Sequence, residues 1–274
     1  MIKRSTYHAH STYCDGKNTP EEMVIAAIER GCPEIGISPH SPLPWLASYP
    51  MRAGRTDEFI AEMSALREKY CDRIRIYAGI ERDILSEIPT DRYEYVIGSV
   101  HYVLHEGKRY DVDASASITR RAINELFGGD PYAYVENYYS HVSRVYERTK
   151  CDIIGHFDLV TKFIEKDPVF SVDHPRYLAA RDAALDKLLA TPALFEVNTG
   201  AIHRGYRTAP YPDDDTIARI AAAGKPLVVT SDSHSADTVD FMIDEIAARL
   251  EARGCRCVTS MSEVLEITRA KSSK

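Results

Sequence analysis

The sequence has little positive charge and no long apolar run, and each absence excludes a class of protein. Its 274 residues contain 34 Lys and Arg against 41 Asp and Glu, a formal net charge of −7. We therefore expect no general attraction to nucleic acid or to an anionic membrane surface. No apolar stretch approaches the length of a membrane span, and the start MIKRSTYHAH lacks the apolar core of a signal peptide. The expected location is the cytoplasm.

Cysteine patterns typical of disulfide frameworks or zinc knuckles are also lacking. A chain of this length without a secretory signal usually keeps its thiols reduced. Cys255 and Cys257 form a C-x-C pair, but no second pair completes a zinc knuckle, and the alternation in CRCVTS is typical of a strand. We expect most of the six cysteines to be buried thiols that act as small apolar groups.

No low-complexity linker and no run of Pro, Gly or Ser divides the chain, which predicts a single domain over residues 1–274. Short segments rich in β-branched and aromatic residues predict seven strands. These are IKRSTYH, EIGISPH, IRIYAGIE, YEYVIGSVH, CDIIGHFD, ALFEVNTG and PLVVTSDSH. Helical segments lie between them, such as TPEEMVIAAIERG with a Thr cap and Pro at the first helical position. Seven strands alternating with helices favour an α/β fold with a closed parallel barrel.

Side chains that can bind metal ions stand at the carboxyl ends of the predicted strands. In chain order they are His8, His10, His40, Glu81, His101, His156, Asp232 and His234, with Asn198 at the end of the sixth strand. The carboxyl ends of a parallel barrel converge on one rim, where chemistry occurs. Six of the ten histidines share this position, which coincidence explains poorly. The other four are His105, His141, His174 and His203.

The mixture of imidazole and carboxylate groups predicts transition metals. His8 and His10 project to one face because strand side chains repeat every second residue, and Asp15 returns from the following loop. Imidazole nitrogens with carboxylate oxygens suit zinc, iron or manganese, whereas calcium prefers oxygen alone. Six histidines and three carboxylates exceed one tetrahedral site about twofold, so two or three metals are expected.

Several motifs together resemble the polymerase and histidinol phosphatase (PHP) family over nearly the whole chain. They are the amino-terminal H-x-H, the isolated His after the second strand, GIE, GSVH, IIGHFD and SDSH. The longer stretches GSVHYV, GHFDLVTKF and EVNTGAIHRGYRTAPYP are similar to the histidinol-phosphate phosphatase branch. The resemblance implies a distorted (β/α)7 barrel that hydrolyses L-histidinol phosphate in histidine biosynthesis.

The resemblance also implies three divalent transition metals, a mixture of zinc, iron or manganese. One metal is expected at His8, His10, Glu81 and Asp232, a second at Glu81, His101 and His156, and a third at Asp15, His40 and His234. Glu81 then bridges two metals. Some family members carry His where this chain has Asp15, so the third site is more oxygen-rich here. Glu81, Asp232 and His234 are the expected catalytic residues.

Cationic side chains on the same rim are candidates for binding the phosphate. The segment NTGAIHRGYR brings Arg204 and Arg207 toward the rim, and a planar guanidinium can bind two phosphate oxygens. Arg204 is the preferred candidate, and Lys162 and Asn198 are further ones. The amine and imidazole of the substrate need carboxylate or aromatic partners. Asp83, Glu106, Tyr102 and the SPLPWLASYP loop with Trp45 all stay open as such partners.

The expected reaction is attack by a metal-bridging hydroxide, in line with the leaving alkoxide, while metals and an arginine stabilise the equatorial oxygens. No residue stands out as the general acid. A phosphodiesterase or nucleotide phosphatase would use the same metals but need aromatic platforms and a basic track. A protein-tyrosine phosphatase is another alternative. The expected partner is a small-molecule phosphate monoester, with no nucleic acid and no membrane, and the oligomeric state stays open.

Overall fold

Parallel strands form the centre of the computed structural model, which describes residues 4–46 and 48–270. A six-stranded sheet contains, in spatial order, β1 (Glu34–Ile37), β2 (Arg75–Asp83), β3 (Tyr95–Ser99), β6 (Ile153–Ile154), β7 (Leu194–Asn198) and β8 (Leu227–Thr230). A separate antiparallel hairpin contains β4 (Tyr102–His105) and β5 (Lys108–Asp111). All neighbours within the six-stranded sheet pair in parallel.

The amino-terminal segment closes this curled sheet into a ring. Thr6 forms a parallel bridge with Ile35 in β1, and Ala9 forms one with Ser233 just after β8. Residues 6–9 therefore take the place of a seventh strand between the two edges of the sheet. The predicted (β/α)7 barrel is confirmed in this distorted form. The first two residues of the first predicted strand lie outside the described residues.

Ten helices surround the barrel in the described part of the chain. They are α1 (Pro20–Glu29), α2 (Thr56–Lys69), α3 (Ala116–Phe127), α4 (Pro131–Val142), α5 (Val145–Thr149), α6 (Pro175–Leu189), α7 (Gly200–His203), α8 (Asp214–Ala222), α9 (Ile243–Ala252) and α10 (Met261–Arg269). The start of α1 is as predicted, because the Thr19 hydroxyl accepts from the backbone N–H of Glu22 and the Glu22 carboxylate accepts from that of Thr19. The sequence interpretation missed α3, α7, α10 and the β4–β5 hairpin.

The side chain of Tyr95 lies in the interior of the barrel. A Cβ atom on Gly36 or on Gly79 would lie 2.2 Å from an atom of that side chain, so only glycine leaves enough room on these two neighbouring strands. The Tyr95 hydroxyl donates to the backbone carbonyl of Tyr7 at 2.5 Å. Met261 of α10 packs in the same interior cluster. These close-packed side chains fill the barrel beneath the carboxyl-terminal rim.

The cysteines of the chain agree with expectation. All six are free, and Cys32, Cys151, Cys255 and Cys257 are buried.

Within the residues that the structure describes, no helix combines the length and the apolar character needed to cross a bilayer. That the whole chain forms one domain stays a prediction.

Candidate metal centre

The residues expected to bind metals lie together at the carboxyl ends of the barrel strands. Three groups have ligand atoms within 4.8 Å of one another: His8 with His10 and Asp232, His40 with Glu81 and His101, and His10 with Asp15, His40 and His234. His156 joins them through Nε2, which lies 2.9 Å from Oε1 of Glu81. Convergence at this rim follows from the parallel barrel, since each strand delivers its carboxyl end to the same side.

Glu81 occupies the middle of the cluster. Its Oε2 atom lies 3.3 Å from Nε2 of His8 and 2.7 Å from Nδ1 of His40. Its Oε1 atom lies 3.2 Å from Nε2 of His101 and 2.9 Å from Nε2 of His156. Nε2 of His10 also lies 3.7 Å from Oε2, so the two carboxylate oxygens face different sets of histidines. This arrangement suits a carboxylate that bridges two cations.

The other two carboxylates face the histidines of the two remaining groups. Oδ1 of Asp232 lies 3.1 Å from Nε2 of His10. Asp15 places Oδ1 3.6 Å from Nε2 of His40 and Oδ2 3.5 Å from Nε2 of His234. Asp232 has a φ of 47°, in the left-handed region that non-glycine residues rarely adopt. Backbone strain of this kind is concentrated at functional sites.

Unpartnered atoms in this cluster show that the residues fit divalent metals. Among the described residues, Nε2 of His8 and Oε2 of Glu81 are buried and make no hydrogen bond of good geometry, although they lie 3.3 Å apart and Nδ1 of His40 lies 2.7 Å from Oε2. A buried polar atom without a partner costs roughly 1–3 kcal/mol. Glu196 accepts from Nδ1 of His8 at 2.6 Å, which directs Nε2 of His8 toward Glu81 as the atom available to a cation once it is deprotonated. A cation bound between the two atoms would satisfy both.

The carboxylates and His10 already have the protonation states that suit cation binding. Burial acts to raise the pKa of Glu81, but the neighbouring imidazoles outweigh it and hold the pKa well below its usual range. Burial of Asp232 is likewise outweighed, chiefly by the charge of Arg204, so its pKa also lies well below normal. Burial, followed by the charge of His234, lowers the pKa of His10 to about 3. Metal ligation requires ionised carboxylates and neutral imidazole. Burial acts to lower the pKa of His8, His101 and His234, but neighbouring carboxylates outweigh it and raise all three, so a bound cation would replace protons on these imidazoles.

Glu196 is a buried carboxylate that the sequence interpretation missed. Besides His8, it accepts from the backbone N–H of His156 at 2.7 Å, the Asn198 amide at 3.0 Å and the Thr230 hydroxyl at 2.5 Å. It therefore positions two of the predicted ligands, His8 through its ring and His156 through its backbone. The sequence did offer a signal for Glu196: it lies two residues before Asn198 in the same strand, so both side chains lie on one face of the sheet.

Asp83 has a similar supporting position. Its Oδ2 atom accepts from the backbone N–H and from Nδ1 of His101, each at 3.0 Å. Strand β2 runs two residues beyond its predicted end at Glu81, so Asp83 belongs to the strand and is buried. Its carboxylate is thus engaged with His101 and is a weak candidate for binding the substrate amine.

Replacing Glu196 with Gln is expected to lower the apparent metal affinity by about 10- to 100-fold, because His8 loses the carboxylate that orients it. The measurement is the chelator concentration that removes half of the bound metal. Glu34→Gln is the matched control, since Glu34 is equally buried and accepts from the Tyr7 hydroxyl at 2.6 Å at the other end of the barrel. It is expected to lower Tm only. Equal metal affinity in Glu196→Gln and the parent would contradict the supporting role.

A cavity of about 240 Å³ opens at this rim. Seven of the nine expected ligands line it, while the more deeply placed His8 and His10 lie beneath. Arg204 and Lys162 also line it. Nη2 of Arg204 donates to Oδ2 of Asp232 at 3.0 Å, so this guanidinium is oriented by one of the expected ligands. The cavity therefore combines the candidate metal cluster with two cations.

Two further candidates for substrate binding lie outside the lining of this cavity. The guanidinium of Arg207 lies 4.8 Å from the ring centre of Tyr211 and contacts the hydroxyl of Thr161. Asn198 is fully buried and donates to Oδ2 of Asp232 at 3.2 Å. A substrate-binding role for Arg207 or Asn198 stays a prediction.

Comparisons with known proteins agree with this fold. A protein of Deinococcus radiodurans named "Probable histidinol-phosphatase" is 28% identical over 266 residues, which covers 92% of this chain and 94% of that protein. The hisK structure of Listeria monocytogenes matches with a TM-score of 0.75 at 20% identity, over 88% of this chain and 99% of its own. The structure of histidinol phosphate phosphatase from Lactococcus lactis, complexed with Zn, L-histidinol and phosphate, matches with a TM-score of 0.68 at 19% identity, over 94% and 96%.

These two structural similarities, at such low identity, establish the fold alone. Membership of a family rests on a separate match, in which the model of the PHP domain covers residues 6–200. That range contains the first seven expected ligands in chain order, from His8 to His156, and most of the barrel. This chain belongs to the PHP domain family.

Proposed function

We propose that this protein is a metal-dependent phosphomonoesterase that hydrolyses L-histidinol phosphate to L-histidinol and phosphate. The observation that carries the proposal is the cavity in which a cluster of histidines and carboxylates lies beside Arg204 and Lys162. The name of the D. radiodurans relative and the ligands in the L. lactis title support this choice of substrate. A role in histidine biosynthesis in the cytoplasm is part of the same proposal.

The proposed cofactors are three divalent transition metals, drawn from zinc, iron and manganese. Three groups of ligand atoms support more than one metal, although, among the described residues, His10 and His40 each belong to two groups and His156 to none, so the grouping differs from the expected sets. Zinc is named in the L. lactis structure. When bound, such metals stabilise negative charge on phosphoryl oxygens and activate water for attack. The proposed ligands are those expected from the sequence, with Glu81 shared between two sites.

The protein's own side chains then position the phosphate. Arg204 donates to the equatorial oxygens, because its guanidinium lines the cavity and Asp232 holds it in one orientation. Lys162, tethered to Oδ2 of Asp113 at 3.1 Å, supplies a second positive charge. Glu81, Asp232 and His234 also line the cavity and are the proposed catalytic residues, since each can contact the reacting group.

A panel of phosphate esters tests the proposal. The metal-loaded protein is assayed on L-histidinol phosphate, a nucleoside monophosphate, a phosphotyrosine peptide and bis(p-nitrophenyl) phosphate. We expect kcat/KM for L-histidinol phosphate to exceed the others by about 100-fold or more, a ratio that polar recognition of the alcohol can provide. Preference for the diester would indicate a phosphodiesterase, and preference for the peptide would indicate a protein-tyrosine phosphatase.

The purified protein is expected to contain two to three equivalents of transition metal, because nine potential ligands converge at one rim. Chelation should remove turnover, and added zinc, manganese or iron should restore it. Elemental analysis of active protein is the measurement. One equivalent or fewer in fully active samples would contradict the trinuclear centre.

A further inference from the structure

Besides the expected ligands, the two cations and Leu159, three side chains line the cavity. Tyr49 belongs to the loop that follows His40, and Asp111 and Asp113 stand at and just beyond the end of β5. Neither of these two carboxylates belongs to a group that could hold a metal within the described residues. The cavity therefore carries acidic groups in excess of the expected ligands.

These two carboxylates differ in their partners. Nζ of Lys162 donates to Oδ2 of Asp113 at 3.1 Å and to its backbone carbonyl at 2.9 Å. Oδ1 of Asp111 accepts from the backbone N–H of Asp113 at 2.8 Å. Throughout the described residues, no Lys or Arg forms an ion pair with Asp111. Lys162 thus compensates only one of two adjacent negative charges.

The pKa of Asp111 is consistent with this excess of negative charge. Burial, followed by the charge of Asp113, raises its pKa to about 7. A cation placed beside it would offset both causes, since it would stabilise the ionised form directly. A carboxyl group in this condition is a favourable place for a positively charged part of a ligand.

Aromatic side chains lie next to Asp111. Tyr102 is its partner across the β4–β5 hairpin, and the Tyr102 hydroxyl lies 2.8 Å from that of Tyr49. The Tyr49 ring stands with its edge toward His40, with ring centres 5.0 Å apart. A cation at Asp111 would therefore be bordered by aromatic rings as well as by a carboxylate, and both attract positive charge.

The other carboxylate and aromatic groups near the rim are less suitable. Asp83 is engaged with His101, and Glu106 is exposed at the hairpin turn, outside the cavity lining. Trp45 holds the guanidinium of Arg109 at 4.1 Å from its ring centre. This leaves Asp111 as the uncompensated carboxylate beside the metal cluster.

We propose that Asp111 determines substrate specificity by binding the protonated amine of the leaving alcohol. The phosphate would bind to the metals and to Arg204, while the amine would bind to the Asp111 carboxylate at the end of β5. The inference rests on the proposed function and deepens it, because it names the residue that distinguishes a cationic phosphomonoester from a neutral one.

The test is Asp111→Asn, which keeps the size of the side chain and removes its charge. The quantity measured is the ratio of kcat/KM for L-histidinol phosphate to kcat/KM for p-nitrophenyl phosphate, whose alcohol has no cation. We expect this ratio to fall by about 10- to 150-fold, the range for loss of a hydrogen bond to a charged group. Metal content is measured in the same samples. Glu106→Gln, on the same hairpin, is the matched comparison and is expected to keep the parental ratio.

The outcomes separate this inference from the proposed function. An unchanged ratio in Asp111→Asn, whether both rates stay or both fall together, overturns the specificity role. A reduced ratio in Glu106→Gln alone places the amine at the hairpin turn and also overturns it. If the parent protein does not favour L-histidinol phosphate, the proposed function fails. The role of Asp111 is then decided by the ratio of kcat/KM for O-phosphoethanolamine to kcat/KM for glycerol 3-phosphate, because only the first substrate carries a positively charged amine.

Discussion

Replacing Glu81 with Ala is expected to reduce kcat by about a thousandfold or more and to remove at least one equivalent of metal. The reason is geometric, because its two oxygens face different histidines, with His40 beside Oε2 and His156 beside Oε1. Asp15 also faces two histidines through different oxygens, but at 3.5 and 3.6 Å and from an exposed position, whereas Glu81 is buried and has contacts of 2.7 and 2.9 Å. Asp15→Ala should therefore cause a smaller loss. Both are measured by steady-state kinetics and elemental analysis on the same samples.

Glu94→Ala is the control for Glu81→Ala. Glu94 lies at the opposite, amino-terminal end of β3, where its carboxylate contacts Arg67 and accepts from the backbone N–H of Ala78 at 2.8 Å. Its loss should lower Tm without changing metal content. Near-normal turnover in Glu81→Ala, with metal retained, would show that the bridging assignment is wrong.

Arg204→Met is expected to lower kcat/KM for L-histidinol phosphate by about 30- to 1000-fold, the cost of losing a charge-assisted pair of hydrogen bonds to phosphate. Arginine has no lone pair for a metal, so its role is toward an anion. Arg204 binds Oδ2 of Asp232, whereas Oδ1 is the oxygen that faces His10. We therefore expect metal content to change little, and it is measured alongside the kinetics.

Arg207→Met is the matched control, because it makes the same change on the same segment. Arg207 packs over Tyr211, and its Nε atom lies 3.8 Å from Glu165, so its loss should affect Tm more than kcat/KM. If Arg207→Met loses activity while Arg204→Met does not, the two arginines exchange roles. If neither matters, the metals and Lys162 hold the phosphate.

The sequence alone was sufficient to predict the barrel and the convergence of the nine expected metal ligands at its rim. Strand periodicity and the alternation of strands with helices predict parallel order, and parallel order brings carboxyl ends together whatever their separation in the chain. That is why His8 and Asp232, 224 positions apart, could be predicted as neighbours, and their side chains lie 3.7 Å apart. The helix cap at Thr19 was also predictable, since capping depends on a few adjacent residues.

The tertiary structure alone decided which groups support the rim and which face the substrate. Glu196 and Asp83 lie behind histidines that are distant in sequence, and a hydrogen bond between distant residues leaves no local pattern. The sequence interpretation already preferred Arg204 to Arg207, three positions away, but only the structure gives a geometric difference, because of the two only Arg204 lines the cavity. The role inferred for Asp111 depends on the hairpin that carries it and on the pairing of Lys162 with Asp113. Periodicity determines which face of an element is buried, but the partner of a buried charge is determined only by three-dimensional packing.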